Sequence, residues 1–204
     1  SWGINLADRP EKGGEGLARV PGETYHNLFR SFNPIKFDAD RWCRLAQQAG
    51  VKYIVLTTKH HDGFSMWPTE QIRWNGVPGK PRHYSIAETP YGKDIVGQLY
   101  AAAKKHGLKV GWYYSTRDWS HPEYLIGDNK AYNDYYQAQV KELMTRYTPD
   151  LMWFDWCFGR ADQYTHPQLF KLMYDINPKL VVNDRAAKGT EAIPAEYASL
   201  VQGD

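Results

Sequence analysis

Two cysteines in 204 residues, Cys43 and Cys157, are too few to define a disulfide framework, and no spacing pairs them as metal ligands. No apolar run approaches 18 residues, which excludes a membrane-spanning helix. Charge of one sign is also lacking. Lys and Arg number 25 against 23 Asp and Glu, and without a basic block the net charge of +2 points neither to nucleic acid nor to anionic lipid. No Gly-x-Gly-x-x-Gly follows a strand pattern and no Gly-Lys-Ser/Thr loop occurs, which argues against a nucleotide-binding sheet. His-x-x-x-His is missing too, so neither a metal nor a cofactor is expected. Ser1-Trp2-Gly3-Ile4-Asn5 has no charged start and no apolar signal region, and reads as a chain beginning inside a domain.

What the chain does have is aromatic side chains: eight Trp and fifteen Tyr, within a composition that is 42% apolar. That is enough to build one sizeable core, so residues 1–204 read as a single domain. The aromatics suit a core. Near polar loops they also suit sugar recognition, because a pyranose stacks its C–H face on a ring while its hydroxyls are hydrogen-bonded.

Along the chain, residues 5–22 are rich in Gly and charge and read as a loop. Asp38 or Asp40 can cap a helix that Gly50 ends, with Cys43 in its core stripe. Val51–Thr57 is a β-branched strand. Residues 62–93, with Trp67 and Trp74, form a connection long enough to be functional. A helix from Asp94 to His106-Gly107, a strand over 108–115, a helix over 130–147, a strand over 151–155, a helix over 167–176 and a strand over 180–183 follow. The tail Leu200-Val201-Gln202-Gly203-Asp204 closes no recognisable element. Helix then strand, four times over, predicts parallel strands with right-handed crossovers, in a (β/α) barrel or an open doubly wound sheet.

The strand over 151–155 reads as covered on both faces and ends on an acid, Asp155, where α/β barrels place active-site groups. The alternative is a helix cap or a surface acid opening the next loop. The other strand tips add His60-His61-Asp62, Tyr113-Tyr114-Ser115 with Arg117, and Asn183-Asp184-Arg185. In a parallel barrel these converge on one face. Adjacent histidines point in different directions, a poor geometry for two ligands on one metal. Hydrogen bonding to hydroxyls fits them better, as does one histidine bracing its own turn.

These strings together resemble the glycoside hydrolase family 29 α-L-fucosidases. The match is carried by Thr58-Lys59-His60-His61-Asp62-Gly63-Phe64, by Gly111-Trp112-Tyr113-Tyr114-Ser115 with Asp118-Trp119, by Pro149-Asp150-Leu151-Met152-Trp153-Phe154-Asp155, and by Val182-Asn183-Asp184-Arg185. It runs from about Phe32 to Tyr197. The resemblance implies a (β/α)8-like (TIM) barrel and a retaining exo-glycosidase that removes terminal α-L-fucose from a fucosylated glycan or oligosaccharide. It places Asp155 as nucleophile, with His60, His61, Tyr113, Trp153 and Arg185 as sugar contacts. Glu23-Thr24-Tyr25 aligns with the family's Glu-Trp-Tyr, putting Glu23 in the pocket and Thr24 where the family has a stacking Trp. Ser1 stands where the family's His-Trp-Gly has its His.

The second carboxyl that retaining chemistry needs falls by resemblance on Glu196, in Pro194-Ala195-Glu196-Tyr197. Glu191 and a residue beyond Asp204 are the alternatives. Only four strands, with a fifth near residues 1–5, are expected from eight, so the barrel reads as incomplete and the family's C-terminal β-sandwich as absent. Two other readings stay open: a fucose-binding remnant without turnover, and a barrel glycosidase for a related sugar such as galactose. A homo-oligomer would be one way to complete the barrel. Family habit implies a periplasmic, secreted or lysosomal location.

Overall fold

In the computed structural model the described residues are 20–74, 81–119, 121–124, 129–155, 166–186 and 201–202. In chain order they form α1 (Gly22–Asn27), α2 (Ala39–Gln48), β1 (Tyr53–Lys59), β2 (Arg73–Trp74), β3 (Pro81–Arg82), α3 (Ile95–Lys105), β4 (Lys109–Ser115), α4 (Lys130–Tyr147), β5 (Leu151–Asp155), α5 (His166–Ile176), β6 (Val181–Asn183) and β7 (Val201–Gln202). Strands β1, β4, β5, β6 and β7 make one parallel sheet in that order. The strand expected near residues 1–5 lies outside the described residues, as does Cys157. Among the described residues no helix is long and apolar enough to cross a membrane.

The first two helix–strand units start and stop for local reasons. Asp38 accepts from Arg41 N at 2.9 Å and Asp94 accepts from Gly97 N at 2.8 Å, each capping its helix. Both helices end in the same double-bonded C-cap. Gly50 N and Val51 N return to Gln47 O and Ala46 O, and Gly107 N and Leu108 N return to Lys104 O and Ala103 O. The left-handed residue each motif needs is the glycine, at φ 77° and 69°. This explains why β1 begins at Tyr53 and not at Val51: the Val51 amide is still closing the helix.

One side of the sheet is the core. Val110, Trp112, Tyr114, Met152, Phe154 and Val182 are buried there beneath Val96, Leu99, Ala103, Val140, Leu143, Leu169 and Phe170. The other side is open along β5. Met152 and Phe154 are buried, but Trp153 between them is 40% exposed, so the expectation of a strand covered on both faces is corrected. An apolar run of five residues cannot report which of its two faces is covered.

Three elements depart from the sequence reading. Gly22–Asn27 is helical, immediately after the expected loop. The long 62–93 connection carries the two-residue antiparallel pair β2–β3 and a 3-10 turn at Ile86–Glu88. Val201–Gln202, expected to close no element, pairs in parallel with Val182 and Asn183 as the fifth strand; two residues are too short for any periodicity. The first stretch of the long connection is tied to α4 by the buried Glu142. Its carboxylate accepts from Trp67 Nε1 at 2.8 Å, Glu70 N at 2.9 Å and Gln71 Nε2 at 2.8 Å.

Candidate active site

The C-terminal ends of the parallel strands bring the polar residues together, as alternation dictates. Trp153 pairs with Tyr113 and Asp155 with Ser115, so all four side chains share the open face. Tyr113 reaches diagonally to Asp155 and donates to Oδ2 at 2.6 Å. Arg185, carried by the 3-10 turn Asp184–Ala186 after β6, donates to Oδ1 at 3.1 Å. Each carboxylate oxygen therefore has its own donor. The carboxylate side chain is 14% exposed, sheltered but not sealed.

Two backbone devices aim this group. The side-chain amide of Asn183 takes over the ladder where β6 ends. Its Oδ1 accepts from Phe154 N at 2.9 Å and its Nδ2 donates to Phe154 O at 3.0 Å, fixing the residue next to Asp155. On β1 the register slips between Thr57 and Lys59, a β-bulge of the kind found beside active sites. Thr57 pairs with Tyr113, but Lys59 pairs with Tyr114. The bulge puts Lys59 on the core side, fully buried, with its ammonium 4.5 Å over the Tyr114 ring and donating to Arg117 O at 3.0 Å.

His60 and His61 follow the bulge. The His60 ring stacks on Tyr113, centroids 5.5 Å apart and planes within 10°. His61 is buried, packs on Trp119 at 4.8 Å, and holds Nδ1 against Ser115 Oγ at 2.6 Å, with Nε2 facing Asp155 Oδ2 at 3.8 Å. Burial, then the positive charges nearby, pushes the His61 imidazolium down to about 2; burial also lowers His60. Burial and the hydrogen bond to Asp155 raise the Tyr113 phenol, so it stays a donor.

By residue type His60, His61 and Asp155 are a set that can hold a metal, their donor atoms lying within 4.8 Å of one another. The guanidinium of Arg185 on the same carboxylate sets a fixed positive charge against a second cation. What the arrangement favours is a neutral, hydroxyl-bearing molecule: a carboxylate oriented by two donors, two imidazoles, and exposed aromatic surface at Trp153.

Of the residues expected from sequence, Asp155, His60, His61, Tyr113, Trp153 and Arg185 are brought together. Glu196, Glu191 and Ser1 lie outside the described residues, as does the side chain of Glu23. Thr24 is exposed, while the next residue, Tyr25, donates to Asp62 Oδ2 at 2.5 Å and so ties α1 to the site. Ser115 and Trp119, named at the strand tip from sequence, were given no role there, and the structural part played by Asn183 was not expected. Period two along β4 could have given Ser115 its place, since it must share a face with Tyr113.

A family model described as "Alpha-L-fucosidase" matches residues 18–202. The tissue alpha-L-fucosidase of Mus musculus is 33% identical over 175 residues, 81% of this chain and 37% of that protein. The alpha-L-fucosidase of Dictyostelium discoideum is 33% identical over 175 residues, 79% of this chain and 36% of that protein. Among solved structures, alpha-L-fucosidase isoenzyme 1 from Paenibacillus thiaminolyticus is similar at a TM-score of 0.73 and 32% identity, over 90% of this chain and 47% of that one. A family 29 enzyme from Bacteroides thetaiotaomicron, described as a trapped covalent intermediate with 2-fluoro-fucosyl fluoride, is similar at 0.69 and 29%, over 90% and 45%. The chain thus spans less than half the length of these relatives.

Proposed function

The chain belongs to the alpha-L-fucosidase family, and from that premise we propose that it is the catalytic part of an exo-acting, retaining α-L-fucosidase. The observation that carries the proposal is Asp155, placed at a strand tip with Tyr113 and Arg185 on its two oxygens and two histidines beside it. In this reading one lone pair of Asp155 attacks the anomeric carbon of an α-L-fucoside and forms a covalent glycosyl-enzyme. Glu196 protonates the departing oxygen and then takes a proton from the water that releases fucose. Asp155 is consumed in the first step and regenerated in the second, so configuration is retained. The covalent intermediate described for the Bacteroides relative supports this order of events.

Hydrogen bonds to the ring hydroxyls from His60 and His61 contribute most where charge builds in the oxocarbenium-like transition state. Trp153, at 6.4 Å and 66° from Tyr113, offers an apolar wall for the sugar. The parallel sheet supports a (β/α)8-like barrel, the five strands forming one part of it. Hydrolysis of 4-nitrophenyl α-L-fucoside tests the proposal, with the β-D-galactoside as control. Turnover that vanishes in Asp155→Asn and Glu196→Gln, and that releases the α-anomer first, is expected. Preference for the galactoside would move the assignment to another sugar. Binding of fucose with no turnover by a folded chain would make it a sugar-binding remnant.

A further inference from the structure

Ser115 is fully buried at the end of β4 and its hydroxyl has one hydrogen to give. Three groups surround Oγ: His61 Nδ1 at 2.6 Å, Arg117 N at 3.0 Å and Arg117 O at 3.3 Å. Arg117 N–H can only donate, so it takes one lone pair of Oγ. The hydroxyl hydrogen then goes either to Arg117 O or to His61 Nδ1.

Two facts choose between them. Arg117 O already accepts from the Lys59 ammonium at 3.0 Å, and 3.3 Å is long for an O–H donor. By contrast, 2.6 Å is short for an N–H donor and ordinary for a hydroxyl donor. A third fact comes from the far side of the ring. Nε2 faces Asp155 Oδ2 at 3.8 Å, an approach that is attractive with hydrogen on Nε2 and repulsive with a lone pair there.

We infer that Ser115 is the positioning residue that fixes the tautomer of His61: it donates to Nδ1, so the neutral ring carries its hydrogen on Nε2, facing Asp155. The depressed basicity of this buried ring keeps it neutral across the working range. The side of His61 that faces the nucleophile is then a donor. It donates to a hydroxyl oxygen of the sugar and offers no lone pair to a cation. Lys59 acts one step behind by occupying Arg117 O, which leaves the serine hydrogen to the imidazole.

The inference deepens the proposed function, but its decisive readout does not rest on it. Long-range 1H–15N correlation of the imidazoles reports which nitrogen is protonated, with His61 assigned by its disappearance in His61→Gln. The expected spectrum has unprotonated Nδ1 and protonated Nε2, with the pattern displaced in Ser115→Ala and restored in Ser115→Thr. Loss of one hydrogen bond predicts a kcat/KM about tenfold lower in Ser115→Ala, with the threonine variant near wild type. Hydrogen on Nδ1 in the wild type, or nitrogen shifts unchanged in Ser115→Ala, would overturn the assignment. A wild type that turns over no fucoside would instead count against the proposed function, leaving the nitrogen shifts to decide the tautomer.

Discussion

Asn183 offers a sharp test of how the sheet aims Asp155. Its amide makes two hydrogen bonds to one residue, accepting from Phe154 N at 2.9 Å and donating to Phe154 O at 3.0 Å, and the side chain is buried. Asn183→Ala removes both. At about 1 kcal/mol net for each, the loss is about 2 kcal/mol. For a domain of this size that lowers Tm by roughly 4–8 °C. Asn183→Asp is nearly isosteric and keeps the acceptor, but it turns the Nδ2 donor into an oxygen facing a carbonyl. It also buries a charge, so the cost is about 3 kcal/mol or more, despite the smaller change in shape. The ranking is therefore wild type, then alanine, then aspartate, read by urea unfolding and by Tm. Acid should partly rescue the aspartate variant, because a protonated carboxyl can again donate. Fucoside turnover should fall in both, since Asp155 is the next residue. Asn183→Asp melting with the wild type would refute the bidentate account.

Two further perturbations test other parts of the site. Gly63 has φ 83°, and a Cβ there would lie 2.2 Å from Asp118 Oδ2. Gly63→Ala should cost about 2 kcal/mol or more and weaken the turn after His61, seen as a lower urea midpoint together with lower activity. His61 gives a pH signature. The unfolded chain takes up a proton near 6.5 while the folded ring does not until about 2, so stability is lost as pH falls below 6.5. Tm measured against pH should therefore decline less steeply in His61→Gln than in the wild type over that range, and equal slopes would contradict the burial argument.

Which polar side chains gather at the sheet's C-terminal end was largely legible because the strand tips are short polar strings after apolar runs. The convergence of parallel strand tips put Tyr113 and Asp155 at one end, and Asp38 or Asp40 with Gly50, then Asp94 with Gly107, bounded the first helices. What was not legible is what depends on neighbours. The bulge at Thr57–Lys59 shows only in the pairing with β4, and it decides that Lys59 is core while His60 faces the site. The His61–Ser115 contact joins residues 54 apart. Val201–Gln202 gains its strand character from its pairing with β6. The open face of β5 differs from the covered face in what packs on it, not in the character of Leu151 or Trp153.

The central claim is that Asp155 is the nucleophile. The most direct measurement is to incubate the chain with 2-fluoro-fucosyl fluoride and map the label by peptide mass spectrometry. The account predicts one fluorofucosyl group, on the peptide holding Leu151–Asp155 and at the carboxyl of Asp155, and none in Asp155→Asn. A label on any other carboxylate, or label retained in that variant, would contradict it.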